Sequence, residues 1–279
     1  MIFFVVPAYN EVDNVPQLFA DLLPCARRLG ARIVVVDDGS TDGTRDAVER
    51  SRDGYPVTLV RHDENLGLGR TIDTGIRVAL ADAGENDAVV TIEADNTCDL
   101  ADLPKLLARF EDGYDVVAAS VYAPGGKLLG VGWFRLLLSR ALSAGFRIAA
   151  RLPEVHTFSG VYRVYRSSQL RRAVETYGYL LVREPGYAAS VELLLKLRGA
   201  GASITEVPTV NDWSRRKGSS KMRIRPTLLA YFRLVIAQLL GAIHPPPGSP
   251  LARNAEGISG ARIEQLGRAE GNTALRAPS

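Results

Sequence analysis

A chain of 279 residues, 46% hydrophobic and 23% charged, is long enough to bury a sizeable core and suits one large α/β domain or one domain with an appendage. Its net charge of +3 is too small to imply nucleic-acid binding, and two cysteines with three scattered histidines exclude a disulfide framework and a zinc cluster. No uninterrupted apolar run reaches the roughly 18 to 20 residues of a membrane span, because Thr227 to Ile243 is broken by Arg233 and Gln238.

Ile2–Val6 reads as a first apolar strand ended by Pro7-Ala-Tyr-Asn-Glu11, so no signal peptide is expected and the chain is expected in the cytoplasm. A helix is expected from about Val12 to Leu29, with Val15, Leu18, Phe19, Leu22 and Leu23 as its apolar positions. Arg32–Val36 is a second buried strand, stopped by Asp37-Asp-Gly-Ser-Thr-Asp-Gly-Thr44, where Ser40 or Thr41 can cap a short helix through Arg50. Val57–Arg61 is a third strand. Asn65-Leu-Gly-Leu-Gly69 then leads into a helix ending near Ala83; its glycine pair lacks a third glycine and reads as a helix entry rather than a phosphate cradle. Ala88–Ile92 has the unbroken apolar character of a strand buried on both faces, and it ends in two carboxylates, Glu93 and Asp95. Four strand–helix units with short connections specify a parallel sheet.

Beyond a helix at Leu103–Phe110 and a strand at Asp115–Ser120 the character changes. Ala123-Pro-Gly-Gly126 is a loop, and Leu128 to Ala150 is a long apolar stretch punctuated by Arg135, Arg140 and Arg147. A basic amphipathic helix with aromatic residues suits a membrane surface, with Lys127, Arg135 and Arg140 toward anionic lipid; a core helix with snorkelling arginines is the alternative. Thr157–Val164 reads as a strand, Tyr187 to Leu197 as a helix and Ser203–Val207 as a last strand. A basic loop from Asn211 to Lys221 follows, then a helix from about Arg225 to Ile243. From His244 onward no period is sustained, so the tail is expected to be disordered. The expected division is therefore residues 1–224 as the main domain, 225–243 as an amphipathic helix and 244–279 as tail.

Three polar clusters fall at carboxyl ends of expected strands: Pro7–Glu11, Asp37–Asp38 and Glu93–Asp95. Ligands of open α/β sheets collect there. Carboxylates and amides suit a nucleobase and a ribose, and an acidic pair suits Mg2+ or Mn2+ bridging a diphosphate, although Asp95 and Asn96 also suit a plain turn and helix cap. There is neither a Walker lysine motif nor a Gly-x-Ser-x-Gly elbow, which leaves a sugar-nucleotide binder as the best fit.

Pro7-Ala-Tyr-Asn-Glu11, Val36-Asp-Asp-Gly-Ser-Thr-Asp-Gly-Thr44, Glu93-Ala-Asp95, Ser159-Gly160 and Arg215-x-x-Gly218-x-Ser220-Lys221 together resemble the inverting family 2 glycosyltransferases, and among them the polyprenyl-phosphate enzymes of the dolichol-phosphate mannose synthase type. The resemblance runs from about residue 1 to 225. It implies an α/β fold of GT-A type, a Rossmann-like nucleotide-diphospho-sugar transferase with a mostly parallel sheet flanked by helices. It further implies that Pro7, Tyr9, Asn10, Glu11, Val36, Asp37, Asp38 and Ala94 form the nucleotide pocket, that Glu93, Asp95 and Thr97 serve the metal, and that Asp95, Arg215 and Lys221 serve catalysis. Four positions depart from that pattern. Close relatives have Asp where Glu93 stands and Gln where Thr97 stands; they have Arg at the place of Val121 and Asp at the place of His156.

The implied reaction is a metal-dependent, inverting, in-line displacement that moves a hexose such as mannose from a GDP- or UDP-linked sugar to a polyprenyl-phosphate lipid. The implied setting is peripheral, at the cytoplasmic face of the membrane, with a possible membrane subunit docked on the helix at Arg225–Ile243. A lipid phosphate is already ionised near neutral pH and needs no general base. A hydroxyl acceptor would need one, and Glu192 or Asp212 are the carboxylates to consider. The rivals are a transferase acting on a sugar or natural-product hydroxyl and an inactive nucleotide-sugar binding subunit.

Overall fold

The computed structural model describes residues 1–178, 181–218, 224–243 and 261–266. Its organisation is set by β1 (Ile2–Ala8), in which successive side chains point to opposite faces: Phe3 and Val5 enter one apolar core, Phe4, Val6 and Ala8 the other. Both faces must therefore be covered by helices. Truncating one of these buried phenylalanines to alanine would cost about 3 to 5 kcal/mol.

The chain continues through α1 (Val15–Leu29), β2 (Arg32–Asp37), α2 (Thr44–Ser51), β3 (Val57–His62), α3 (Leu68–Asp82) and β4 (Ala88–Thr91). These strands lie parallel in the order β3-β2-β1-β4, with Val5 opposite Val34 on one side and Thr91 on the other. Then come α4 (Leu103–Glu111), β5 (Val116–Ser120), β6 (Lys127–Leu129), α5 (Trp133–Ala149), β7 (Arg163–Arg166), α6 (Ser167–Tyr177), α7 (Ala189–Gly199), β8 (Ile204–Pro208), β9 (Val210–Asp212), α8 (Ile224–Leu239) and β10 (Ala261–Leu266). The eight-stranded sheet runs β10-β3-β2-β1-β4-β7-β5-β8, with β7 and β10 antiparallel to their neighbours, and β6 and β9 form a separate parallel pair. The α1, α2 and α4 side chains fill the core on one face; α3, α6 and α7, joined by parts of α5 and α8, fill the other.

The four-unit parallel half follows the sequence expectation closely. Later elements depart from it in three ways. The apolar run at Thr157–Val164 is not a strand throughout: pairing is confined to Arg163–Arg166, and Phe158 and Val161 instead bury themselves in the core as irregular chain. Arg163 is itself fully buried, donating to the carbonyls of Ser190, at 2.6 Å, and Phe158. Second, α6 has no expected counterpart, because its apolar positions are only Leu170, Ala173, Val174 and Tyr177 amid polar residues. Third, the tail expected to be disordered contributes β10, which pairs along β3 with Ile263 opposite Val60. The free edge of β3 supplies the partner that the segment's weak alternation could not reveal. The remaining tail positions lie outside the described residues. Tyr231 and Leu234 of α8 enter the same core as α3 and α7.

Candidate active site

At the carboxyl ends of β1, β2 and β4 lies a cleft of about 720 Å3 with carboxylates on its floor. Pro7, Tyr9, Glu11, Asp38, Glu93, Ala94 and Asp95 line it, so most of the residues expected there are brought together. Asn10, Val36 and Asp37 are not among its walls. Val36 is buried under Gly75 of α3 in the core. Asn10 adopts a positive φ of 52°, accepts from the Thr41 amide and donates its own amide to the Ser40 hydroxyl, which ties the first turn to the second. Asp37 accepts from the Ser40 amide at 3.0 Å and faces Arg61 at 3.3 Å beneath the rim. These three shape the rim from behind.

Asp38 is buried and heavily engaged: it accepts from the amides of Leu66 and Gly67 at 2.9 and 2.8 Å and meets His62 Nδ1 at 2.7 Å. It thereby fastens the segment leading into α3 against the cleft. The glycine pair there is a helix entry in a crowded place. Gly67 caps α3 at a φ of 91°, and a Cβ on Gly67 or Gly69 would run into the carbonyls of Pro185 and Glu184. The same loop closes the cleft on its far side through Gly186 and Tyr187. Glu192 holds it there, accepting from the amides of Arg183 and Glu184 at 2.8 Å each and from Lys196 at 2.6 Å. A buried carboxylate committed to three donors is poorly placed to act as a general base, while half-buried Asp212 accepts from the Ser214 amide and hydroxyl at Oδ1.

Carboxylates crowd the floor. Burial pushes the Glu93 carboxyl up to about 8, Asp95 adding to the shift and Arg216 opposing it. Arg216 is the cation that reaches them, 3.1 Å from Asp95 Oδ2 and 3.9 Å from Glu11 Oε1, with its side chain only 6% exposed. Arg215, expected in this role, points the other way, to Asp21 at 3.1 Å on the surface. The single 3-10 turn at Trp213–Arg215 sets that choice, because it ends at extended Arg216 and turns consecutive side chains apart. Asn14 then clasps the loop, donating to the Lys217 carbonyl at 3.0 Å and accepting from its amide at 2.9 Å. Lys221 and Ser220 lie outside the described residues. Thr97, expected beside the metal, is buried and spends its hydroxyl on Asp95 Oδ1 at 2.8 Å, so it buttresses the carboxylate instead.

The surroundings of Arg216 and Asn14 hide them in the sequence: Arg216 is one of three consecutive basic residues, and Asn14 has the spacing of an ordinary helix cap. Among the described residues no group of three or more His, Cys, Asp or Glu side chains is arranged to hold a metal.

A second pocket, of about 210 Å3, opens on the other side of Glu93 and Tyr187, which line both. Its walls are mostly apolar, from Leu138, Leu142 and Phe146 of α5 to Leu228 and Tyr231 of α8, with Val121 and Tyr162 from the sheet side. Arg135 is the cationic side chain among the described residues that line it; burial pulls its pKa down, and it stacks 4.2 Å from the Trp213 ring. Arg140 likewise turns over Tyr122, at 5.5 Å. Both arginines thus lie over aromatic rings of the protein, and Arg140 stays exposed. His156, at the position where relatives carry Asp, sits 3.1 Å from Glu206, whose carboxylate also takes the amides of His156 and Thr157.

Comparison with known proteins fits this architecture. A dolichol-phosphate mannosyltransferase of Pyrococcus furiosus is 28% identical over 82% of this chain, which spans only 61% of that longer protein. An undecaprenyl-phosphate mannosyltransferase of Micrococcus luteus is 31% identical over 78% of this chain and 86% of its own length. The solved structure of glucosyl-3-phosphoglycerate synthase from Mycobacterium tuberculosis, in complex with Mn2+, UDP and phosphoglyceric acid, superposes with a TM-score of 0.61 at 21% identity, covering 89% of this chain and 80% of that one. It shares the fold. Residues 3–173, more than half of the 279, match the model of glycosyl transferase family 2, and the chain belongs to that family and is a glycosyltransferase.

Proposed function

We propose that the protein transfers a hexose, with mannose the first to try, from a nucleoside-diphosphate sugar to a polyprenyl phosphate. The observation that carries this reading is the pair of unlike pockets meeting at Glu93 and Tyr187. A cleft at the strand ends with a carboxylate floor suits a nucleotide and its metal-bound diphosphate. An apolar pocket whose described lining holds one arginine suits a prenyl chain that ends in a phosphate. The named relatives act on dolichol-phosphate and undecaprenyl-phosphate, in keeping with that pairing.

Pro7, Tyr9, Glu11, Asp38 and Ala94 hold the nucleotide in this reading, and Arg216 takes the place expected of Arg215 at the diphosphate. Arg135 receives the acceptor phosphate and steadies it toward the shared wall. That phosphate attacks the anomeric carbon in line as the sugar–diphosphate bond breaks, which inverts the configuration. Its oxygen is already anionic, so no base is needed. The negative charge passing to the leaving diphosphate is met by preorganised Arg216.

A divalent cation fits the floor of the cleft. Glu11, Glu93 and Asp95 crowd around one guanidinium. Mg2+ and Mn2+ are commonly held by one or two carboxylates together with water and substrate phosphates, and Glu93 and Asp95 supply that number. When bound, the ion would neutralise diphosphate charge.

The deciding assay incubates the enzyme with labelled GDP- or UDP-hexose and a polyprenyl phosphate, with Mn2+, with Mg2+ and with chelator. Label extracted into organic solvent only when metal is supplied is the expected result. Label left in aqueous product would move the acceptor to a soluble compound, and no transfer with any donor would leave a binding subunit. The apolar surface of the pocket's two helices suits work at a bilayer. Exposed Trp133, Leu137 and Ile148 recur along one stripe of α5, and exposed Leu229, Phe232, Ile236 and Leu239 along one of α8. Among the described residues no helix is long and apolar enough to cross a membrane.

A further inference from the structure

The two helices that wall the apolar pocket run in the same direction. Their N-terminal ends meet there, at Val131 and Arg135 of one and Ile224 and Thr227 of the other. Their C-terminal ends meet at a separate hollow of about 660 Å3, where Ile148 and Arg151 face Gln238 and Leu239, with Arg198 from the last turn of α7 closing the side.

Three features of this hollow are unaccounted for by the transfer reaction. Arg151 and Arg198 are exposed and form no ion pair among the described residues, whereas Arg135 and Arg140 are stacked on rings. Gln238 Oε1 is buried without a donor among the described residues. The rim is apolar and bare, with Ile148 at 76% and Leu239 at 61% exposure, and Leu240, 77% exposed, follows directly in the chain. Helix C-termini alone would favour cations nearby, but they explain neither the stranded carboxamide oxygen nor the apolar rim.

We propose that this hollow binds the headgroup of an anionic phospholipid of the phosphatidylglycerol kind, on the bilayer that the α5 and α8 stripes face. The proposal rests on the membrane-facing part of the functional reading. Two guanidinium groups match a phosphodiester, which they can grip through paired hydrogen bonds. Ile148, Leu239 and Leu240 enter the acyl boundary beside it. Charge complementarity and the bare rim favour a lipid over free phosphate, which would have no use for exposed leucines. The hollow then anchors one end of the helix pair while the pocket at the other end receives a lipid substrate.

Co-sedimentation of the full chain with vesicles of phosphatidylcholine, alone or mixed with phosphatidylglycerol, tests this. Phosphatidylglycerol should strengthen binding of the unaltered protein, and Arg151→Gln with Arg198→Gln should lower partition onto the mixed vesicles by roughly tenfold or more while leaving phosphatidylcholine vesicles unaffected. Arg198→Gln alone, expected at a severalfold loss, keeps the test open if the double variant does not fold. Retention of the phosphatidylglycerol preference by the variants would overturn the proposal, as would equal loss on both vesicle types. Saturable binding of inorganic phosphate that competes with the mixed vesicles would reassign the hollow to a soluble anion. Transfer to a polyprenyl phosphate in neutral detergent micelles, measured alongside, should be unchanged in the variants; its absence in every form of the protein would count against the functional reading while the vesicle result still stood.

Discussion

The carboxylate-floored cleft and the apolar pocket share a wall but are built by different means. The cleft is made from the ends of β1, β2 and β4, whose neighbours in space are fixed by a parallel ladder, and its rim is tied by hydrogen bonds between consecutive turns, such as Thr41 to Asn10 and Glu11 to Thr44. The apolar pocket gathers α5, α8, the β6–β9 pair and the irregular chain at Thr157–Tyr162, which meet through side-chain packing and have few backbone bonds in common. Construction of the first kind fixes where charge sits. The second kind fixes a shape, and shape tolerates substitution better than charge placement does.

The largest effect should therefore come from the cleft. Asp95→Asn removes a carboxylate that Arg216 and Thr97 both orient, and turnover should fall by at least about a hundredfold, by analogy with other lost electrostatic groups. A steady-state assay at saturating metal reads this directly, and a variant within a fewfold of the parent would break the comparison at its root. Next in size is a contrast between neighbours. Arg216→Ala should cost roughly tenfold to a hundredfold in kcat/KM for the donor, because it strips a buried cation from among carboxylates. Arg215→Ala should change it by less than about twofold, since that ion pair to Asp21 is more than one-third exposed on both sides. Equal losses in the two variants would mean that the turn at Trp213–Arg215 rearranges when donor binds.

The apolar pocket calls for a different signature. Leu142→Trp adds bulk to a lining position of α5 and should raise KM for a long polyprenyl phosphate by roughly tenfold while KM for the sugar nucleotide stays put, overpacking being a local cost. Parallel changes in both constants would show that the pockets are coupled through Glu93 and Tyr187 rather than merely adjoining.

The same difference in construction explains what can be read from the sequence. Strand runs such as Ile2–Val6 and Ala88–Ile92 declare themselves by composition, and the polar clusters after them inherit their places from the sheet, so the sequence alone brings Tyr9, Glu11, Asp38, Glu93 and Asp95 to one cleft. Roles within the cleft are less legible. The choice between Arg215 and Arg216 depends on one extended residue after a 3-10 turn, and the occupation of Thr97 and Glu192 depends on partners 2 to 9 residues away in the chain that only local geometry selects. The apolar pocket is legible only as an amphipathic helix. Nothing in the spacing of Arg135 and Arg140 tells whether an arginine turns to lipid or to Trp213 and Tyr122.

One strand at the edge of the sheet carries no such signal, and it sets up the smallest expected effect. β10 arrives from far along the chain to cover the edge of β3, and Glu264 reaches Arg45 of α2 at 2.7 Å, a contact placed as if the ion pair pinned the strand. Exposure rules that out. Arg45 is 46% exposed and Glu264 30%, so solvent screens the pair and its contribution is about 0.2 to 1 kcal/mol at most. Six residues in antiparallel register, from Ala261 opposite His62 to Leu266 opposite Val57, supply ladder hydrogen bonds that do not depend on that pair. Glu264→Gln should consequently leave β10 docked, shifting the thermal midpoint by no more than a few degrees and leaving hydrogen exchange at the β3 amides slow. A proline at Ile263 should do the opposite, taking an amide from the strand and speeding exchange along β3. If Glu264→Gln alone released the edge, the ion pair rather than the ladder would hold the chain's late segment on its earliest half, and donor binding in the cleft should weaken with it.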